Sequence, residues 1–225
     1  MRIRKKKWAE PELSVCDFYV EEPKLYKNRW SSFFNNDKPI MLEVGCGKGS
    51  FVGQMAILNP DINFIAVDIK LDMLGVGRRN IVELFSDENR AVDNIALVRY
   101  NVEMLDEIIG ADDNIQRIYI NFCNPWPREK HKKRRLTHPR KLKLYRELLP
   151  KGNEIHFKTD DDELFSESLE YFKSENFGLK EISYDLHNSG IDSKTTPMTE
   201  HEKMFSDEGI KIKYCIVKNE GKDVL

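Results

Sequence analysis

Five short apolar runs separated by helical patterns restrict this chain more than any other feature of its sequence. Residues 40–44 (IMLEV), 63–69 (NFIAVDI), 95–100 (IALVRY), 115–122 (IQRIYINF) and 154–158 (EIHFK) read as strands. Residues 50–58, 73–85, 102–109, 139–149 and 162–173 carry the 3.6-residue spacing of amphipathic helices. Strands that are apolar on both sides and alternate with helices predict βαβ crossovers: a mainly parallel sheet with helices on both faces. After residue 173 the rhythm changes to two strand-like runs, 180–185 and 210–217, joined by a polar segment, 187–208, long enough to suggest a function. Residues before Lys38 read as a basic arm and a short helix over 25–34, so the expected division is an arm, 1–37, and one catalytic-type domain, 38–225.

With 225 residues the chain can bury a sizeable core. No apolar run approaches the roughly 20 residues of a spanning helix, and the basic start has no apolar segment behind it, as a secretory signal would. The four cysteines, Cys16, Cys46, Cys123 and Cys215, show no paired or metal-ligand spacing, and the five histidines form no metal set. The expectation is a cytoplasmic protein with reduced thiols, no metal and no membrane partner. His156, inside a strand, reads as a core histidine.

The first strand ends in Glu43-Val44-Gly45-Cys46-Gly47-Lys48-Gly49-Ser50. Glycines at a strand-to-helix turn let backbone approach a ligand and take up positive φ. The spacing is neither that of a dinucleotide fold nor that of a phosphate loop. An acid two residues before the first glycine opposes a pyrophosphate and suits a cation. Asp68 closes the second strand, where a carboxylate can accept from ribose hydroxyls. Glu43, Gly45, Gly47, Gly49 and Asp68 together point to S-adenosylmethionine.

The stretch NFCNPWPREKHKKRR, residues 121–135, places a stiff turn beside a dense run of bases. Net charge is only −2, yet cations gather here and at the start of the chain, which focuses field on one face. Asn124, held by two prolines at a strand end, is positioned to accept a hydrogen bond from a base N–H, a methyl-donor amine, or its own turn. Lys130, Lys132, Lys133, Arg134 and Arg135 fit a solvated helix face, a localisation signal or a phosphate-binding edge; their place directly after the turn favours the last, which suits a protein that recognises folded RNA by shape. Trp8 in the basic arm is a candidate for base stacking. Asp160 or Asp161, at the end of another strand, would supply a charged contact to a base edge, although Asp160 to Asp162 also read as a helix N-cap cluster. Thr199 and Glu202 have capping-box spacing.

From LEVGCGKGSF (42–51), NFCNPWPREKHKKRRLTHP (121–139), HFKTD (156–160) and TEHEKMF (199–205), the chain resembles the bacterial tRNA (guanine-N7)-methyltransferases over nearly its whole length. The resemblance implies a Rossmann-like, S-adenosylmethionine-dependent methyltransferase fold with a mostly parallel seven-stranded sheet whose last strand is antiparallel. It implies methylation at N7 of the variable-loop guanosine, position 46, of tRNA. By matching positions, Glu43, Asp68, Asn101 and Asn124 would line the cofactor site. Arg128, Asp160, Thr199, His201 and Glu202 would meet the nucleotide, and 130–135 the RNA. The family usually has Asp at 101 and 124, Tyr at 201 and Pro at 211, where this chain has Asn, Asn, His and Lys.

Three alternatives stand beside this reading. One is a tRNA-binding protein that lost catalysis through Asn124. Another is methylation of an exocyclic base amine, suggested by the likeness of the Asn-Pro-Trp turn to the [DN]-P-P-[YF] turn. The third is a small-molecule methyltransferase. Monomer and homodimer are both open.

Overall fold

A computed structural model of the chain describes residues 5–191 and 197–221. The strands are β1 (Tyr19–Val20), β2 (Ile40–Val44), β3 (Asn63–Asp68), β4 (Ile95–Arg99), β5 (Ile115–Asn121), β6 (Glu154–Thr159), β7 (Phe177–Ser183) and β8 (Lys213–Asn219). The helices are α1 (Ala9–Ser14), α2 (Trp30–Phe34), α3 (Ser50–Leu58), α4 (Leu71–Asp87), α5 (Pro139–Leu148), α6 (Asp162–Ser174) and α7 (Glu200–Asp207). One sheet runs in the order β1-β4-β3-β2-β5-β6-β8-β7. Only β8 runs against its neighbours, pairing antiparallel with β6 and β7, as expected of the last strand.

Seven strands are expected and eight are found among the described residues. The extra one, β1, lies parallel to β4 through Tyr19↔Leu97 and Val20↔Val98. Two residues are too few to show a period in sequence. The helix expected over 102–109 is instead a 3₁₀ segment, Val102–Glu107, broken by non-helical Met104 and capped by the Asn101 side chain, which accepts from Glu103 N–H. The expected helix over 25–34 is a 3₁₀ turn, Pro23–Tyr26, followed by the short α2.

The period-2 alternation of each inner strand divides the core in two. Ile40, Leu42, Val44, Ile65, Val67, Ala96 and Val98 face one cluster, which α5 and α6 close with Leu142, Tyr145, Phe165 and Phe172. Met41, Phe64, Ala66, Ile95 and Leu97 face the other, closed by Phe51, Met55, Leu74, Ile81 and Phe85 of α3 and α4. Residues of the amino-terminal segment belong to both clusters. Trp30, with no exposed surface, sits in the first, and its indole N–H donates to Ile108 O at 2.8 Å. Asp113 holds the same segment by accepting from the backbone N–H of Asn28 and of Trp30, at 2.9 and 3.1 Å.

α1 lies on α4 so closely that a Cβ at Gly75 would fall 2.5 Å from the Ala9 Cβ. Lys6 N–H donates to Asp72 Oδ1 at 2.7 Å, and Glu12 pairs with Arg78 and Arg79. Trp8 is therefore not a free stacking platform, because the Arg79 guanidinium already lies 3.5 Å from its ring centroid. Arg2 and Arg4 of the basic start lie outside the described residues. Among the described residues, no helix is long and apolar enough to cross a membrane.

Candidate active site

The strand order reverses between β3 and β5, so β2 has its successor on one side and β5 on the other. Ligands of open α/β sheets settle at the carboxyl ends of strands at such a point. A cavity of about 740 Å³ opens there, lined by residues that end or follow β2, β3, β4, β5 and β6 and by α7.

Glu43 stands at the floor of the cavity. Its side chain points to the Met41 face of β2 and is only 3% exposed. Oε1 accepts from the Asn121 amide of β5 at 3.2 Å, while Oε2 is buried with no hydrogen-bond partner. Burial pushes its pKa up to about 8 against a lowering pull from the Asn121 amide, and the nearby Asp68 charge raises it further. A buried carboxylate oxygen left unpaired beside a cavity calls for a cation.

The glycine turn wraps above it. Gly45, Gly47 and Gly49 have φ of 78°, 54° and 67°, the left-handed region that favours glycine. Gly49 also packs against α4, where a Cβ would lie 3.2 Å from the Gly77 Cα. Asp68 ties this turn to β3: Oδ2 accepts from Gly47 N–H at 3.0 Å and Oδ1 from Lys70 N–H at 2.8 Å. Each oxygen keeps a lone pair for a ligand hydroxyl. Asn101 lines the cavity while its Oδ1 caps the 3₁₀ segment at Glu103 N–H, 3.0 Å away. Of the expected cofactor residues all but Gly49 line the cavity, and Gly49 shapes the turn from behind. Bare backbone at the turn, the unpaired Glu43 oxygen and the Asp68 carboxylate are donors and acceptors that fit S-adenosylmethionine.

On the far wall the chain leaves β5 through a strained turn. Phe122 and Trp126 have φ of 47° and 44°, which bulky residues rarely adopt. Asn124 Oδ1 accepts from Trp126 N–H at 3.0 Å, closing an Asx turn. Of the three partners read for this carbonyl, the one found is its own turn.

The cationic segment divides by direction. Arg135 has a fully buried side chain: Nε donates to Pro125 O at 2.6 Å, and the guanidinium pairs with Glu163 and Glu167 of α6. Lys132 pairs with Glu129, Glu163 and Glu167, and these hydrogen bonds raise its pKa. These two residues, grouped with the RNA contacts in sequence, bind the turn to α6 instead. Lys130 and Lys133 are exposed, Arg134 lies 5.1 Å from the Trp126 ring centroid at the cavity wall, and His131 packs edge-on to that ring. Arg128 is exposed and outside the cavity lining. Lys141 lines the cavity and is held by Glu103 Oε1 and Lys133 O, both at 3.0 Å.

Asp160, at the end of β6, lines the cavity, and its carboxylate accepts no hydrogen bond among the described residues. Asp161 instead caps α6, accepting from Leu164 N–H at 2.7 Å, and Asp162 pairs with Lys213 at 2.8 Å. The N-cap reading thus holds for Asp161 and leaves Asp160 facing the cavity. Thr199 and Glu202 close the expected capping box on α7. Thr199 lines the cavity; Glu202 does not, being 2% exposed and bonded to Lys158. The His201 side chain lies outside what is described. His156 is a satisfied core histidine between Tyr214 Oη at 2.8 Å and Glu154 at 3.1 Å, and burial lowers its pKa to about 4.

Sequence reasoning missed the apolar lining: Phe51, Met73, Phe122, Leu136 and Phe205. Their spacing is that of ordinary core positions, so no local signal marks them. Among the described residues, no cluster of His, Cys, Asp and Glu is arranged to hold a metal ion.

Comparison with known proteins bears on this geometry. A family described as "Putative methyltransferase" matches residues 37–215. The tRNA (guanine-N(7)-)-methyltransferase of Clostridium beijerinckii is 57% identical over 216 residues, 96% of this chain and 98% of that one. Its namesake in Acetivibrio thermocellus is 44% identical over 218 residues, 97% of this chain and 99% of that one. Among solved structures, an antibiotic-related methyltransferase superposes with a TM-score of 0.62 at 14% identity, covering 90% of this chain and 96% of its own. The 16S rRNA (adenine(1408)-N(1))-methyltransferase of Catenulisporales acidiphilia, solved with S-adenosylmethionine, gives 0.58 at 12% identity, covering 92% and 95%. At such identities the likeness is one of fold.

Proposed function

Because the chain belongs to the tRNA (guanine-N7)-methyltransferase family, we propose that it methylates N7 of a tRNA guanosine, and that this guanosine is the variable-loop one at position 46. The reaction class follows from the family; the position is the further step. When bound, S-adenosylmethionine supplies an electrophilic sulfonium methyl. Glu43 and Asp68 hold it, with the glycine turn and Asn101, and the unpaired buried oxygen of Glu43 is the observation that carries this reading.

Guanine N7 has a lone pair and no proton, so the chain need supply no general base. Its contribution is to hold the base in line and near contact, an effect worth several orders of magnitude in rate. Methylation leaves positive charge on the base, which the Asp160 carboxylate at the cavity wall would stabilise. Asn124 serves by fixing the turn, which needs an acceptor oxygen and no charge. The turn uses one lone pair of its carbonyl and leaves the other toward the cavity, so amine methylation is distinguished by the nucleoside formed. Lys130, His131, Lys133, Arg134 and Arg128 form the RNA edge in this reading, and Thr199 meets the nucleotide. Residues 5–37 count as part of the same folded unit as the rest, because α1 packs on α4, β1 joins the sheet and Trp30 lies in the core. The partner is tRNA and the compartment the cytoplasm.

Position 46 is tested by chemical mapping. Unmodified tRNA transcripts would be methylated, then reduced with borohydride and cleaved with aniline, which breaks the chain at 7-methylguanosine. Cleavage at 46, abolished when that guanosine is replaced by adenosine, supports the assignment. Cleavage elsewhere overturns it.

A further inference from the structure

Glu202 belongs to the segment that the resemblance assigns to the nucleotide, yet it does not reach the cavity. Its side chain is 3% exposed and lies against Lys158 of β6, itself 2% exposed, with Nζ–Oε2 at 3.1 Å. Oε2 also accepts from Thr199 N–H at 3.4 Å, and His187 Nε2 stands 3.6 Å from Oε1. Both carboxylate oxygens therefore face protein groups.

Lys158 joins two walls of the site. Its side chain reaches α7, and its backbone O accepts from Phe122 N–H at 2.9 Å, the first residue of the strained turn. The Phe122 and Phe205 rings lie 6.0 Å apart across the same gap. Leu186, Ile212, Tyr214 and Ile216 form a small core beneath them. Lys158 Nζ is 5.9 Å from the Tyr214 ring. A buried pair of this kind adds little net stability against an apolar replacement. It fixes one arrangement of the groups it joins.

Resting on the function proposed above, we propose that the buried Lys158–Glu202 pair is a positioning device. It sets Thr199 and Phe205 of α7 against the Phe122–Trp126 turn, and Glu202 acts through Lys158 with no contact to the nucleotide. Lys158, to which neither motif reading nor resemblance gave a role, becomes a positioning residue of the reaction.

The test compares Lys158→Met, Glu202→Met, the double variant Lys158→Met/Glu202→Met, and Glu202→Gln with the wild type. It follows methyl transfer to tRNA, S-adenosylmethionine affinity and melting temperature. Each single Met variant leaves one buried charge unpaired. It is expected to lose about 10- to 100-fold in kcat/KM for tRNA, with cofactor affinity within about threefold of wild type. The double variant is expected to recover at least about tenfold over Glu202→Met, since two apolar groups of like volume can replace a buried pair. Glu202→Gln keeps an acceptor for Lys158 and is expected to lose less than about tenfold. A folded double variant as inactive as Glu202→Met, or a Glu202→Gln variant that is inactive, would assign the carboxylate to the nucleotide and overturn the proposal. If the Met variants do not fold, Glu202→Gln decides alone. An inactive wild type would count against the proposed function and not against the pair.

Discussion

Glu43 sits where its charge is least stable, buried and near Asp68, with one oxygen unpaired. A cationic ligand reverses that balance by favouring the carboxylate. Burial pushes the carboxyl up to about 8 in the free protein, so binding of a cation near neutral pH should release a proton. S-adenosylmethionine affinity should therefore weaken as pH falls from about 8 to 6. Calorimetry in buffers of different ionisation enthalpy should show net proton release at pH 7. No release would mean that Glu43 is already ionised or does not face the ligand. The same shift has a consequence for stability. The folded pKa, about 8, lies above the ordinary value of 4.5, so the folded state binds the extra proton between those values. The contribution of Glu43 is fully present below pH 4.5 and is lost as pH rises through 8. Glu43→Gln cannot ionise, so its melting temperature relative to wild type should climb between pH 5 and pH 9, while its cofactor affinity falls about tenfold or more. A parallel pair of pH–stability curves would contradict this account. Gly49→Ala meets a different obstacle, a φ of 67° and a Cβ 3.2 Å from backbone, and should cost on the order of 1–3 kcal/mol in denaturant unfolding.

Elements decide which of several like charges does what. Arg135 and Arg134 are adjacent, yet one is buried against α6 and the other exposed beside Trp126. Arg135→Ala removes a fully buried guanidinium bonded to Pro125 O, while Glu163 and Glu167 keep Lys132, and should cost about 1–3 kcal/mol, read as a fall in melting temperature. Arg134→Ala should leave the melting temperature within a degree or two. It should weaken tRNA binding and reduce the slope of log affinity against log salt by about 1. Equal effects of the two changes on melting would contradict the division. That division was not legible in the sequence, because six consecutive polar and basic residues carry no period. Which of them turns inward depends on acids about thirty positions later. The glycine turn and Asp68 were legible because a strand, a turn and a second strand end place them by spacing alone. β1 was not, since a two-residue strand exists only through its pairing with β4. The roles of Asp160 and Asp161 were separable only once α6 showed which one caps it.

At the scale of the molecule, one sheet brings the ends of five strands to a single cavity, with the strained turn on one wall and α7 on another. The alternation of strands and helices foretold the sheet; the apolar lining and the Lys158–Glu202 pair arise from contacts between distant segments. A ligand that binds only the folded state should stabilise the whole chain. S-adenosylmethionine at 100 times its Kd should add about 2.7 kcal/mol, visible as a rise of several degrees in melting temperature. Whether this cavity presents a guanine N7 to a methyl donor is decided by nucleoside analysis. Unmodified tRNA would be incubated with the protein and methyl-labelled S-adenosylmethionine, digested and resolved by mass spectrometry. Label in 7-methylguanosine is expected, with its loss for Glu43→Gln at limiting cofactor. Label in an exocyclic-amine product such as N6-methyladenosine, or tRNA binding without any transfer, would contradict it.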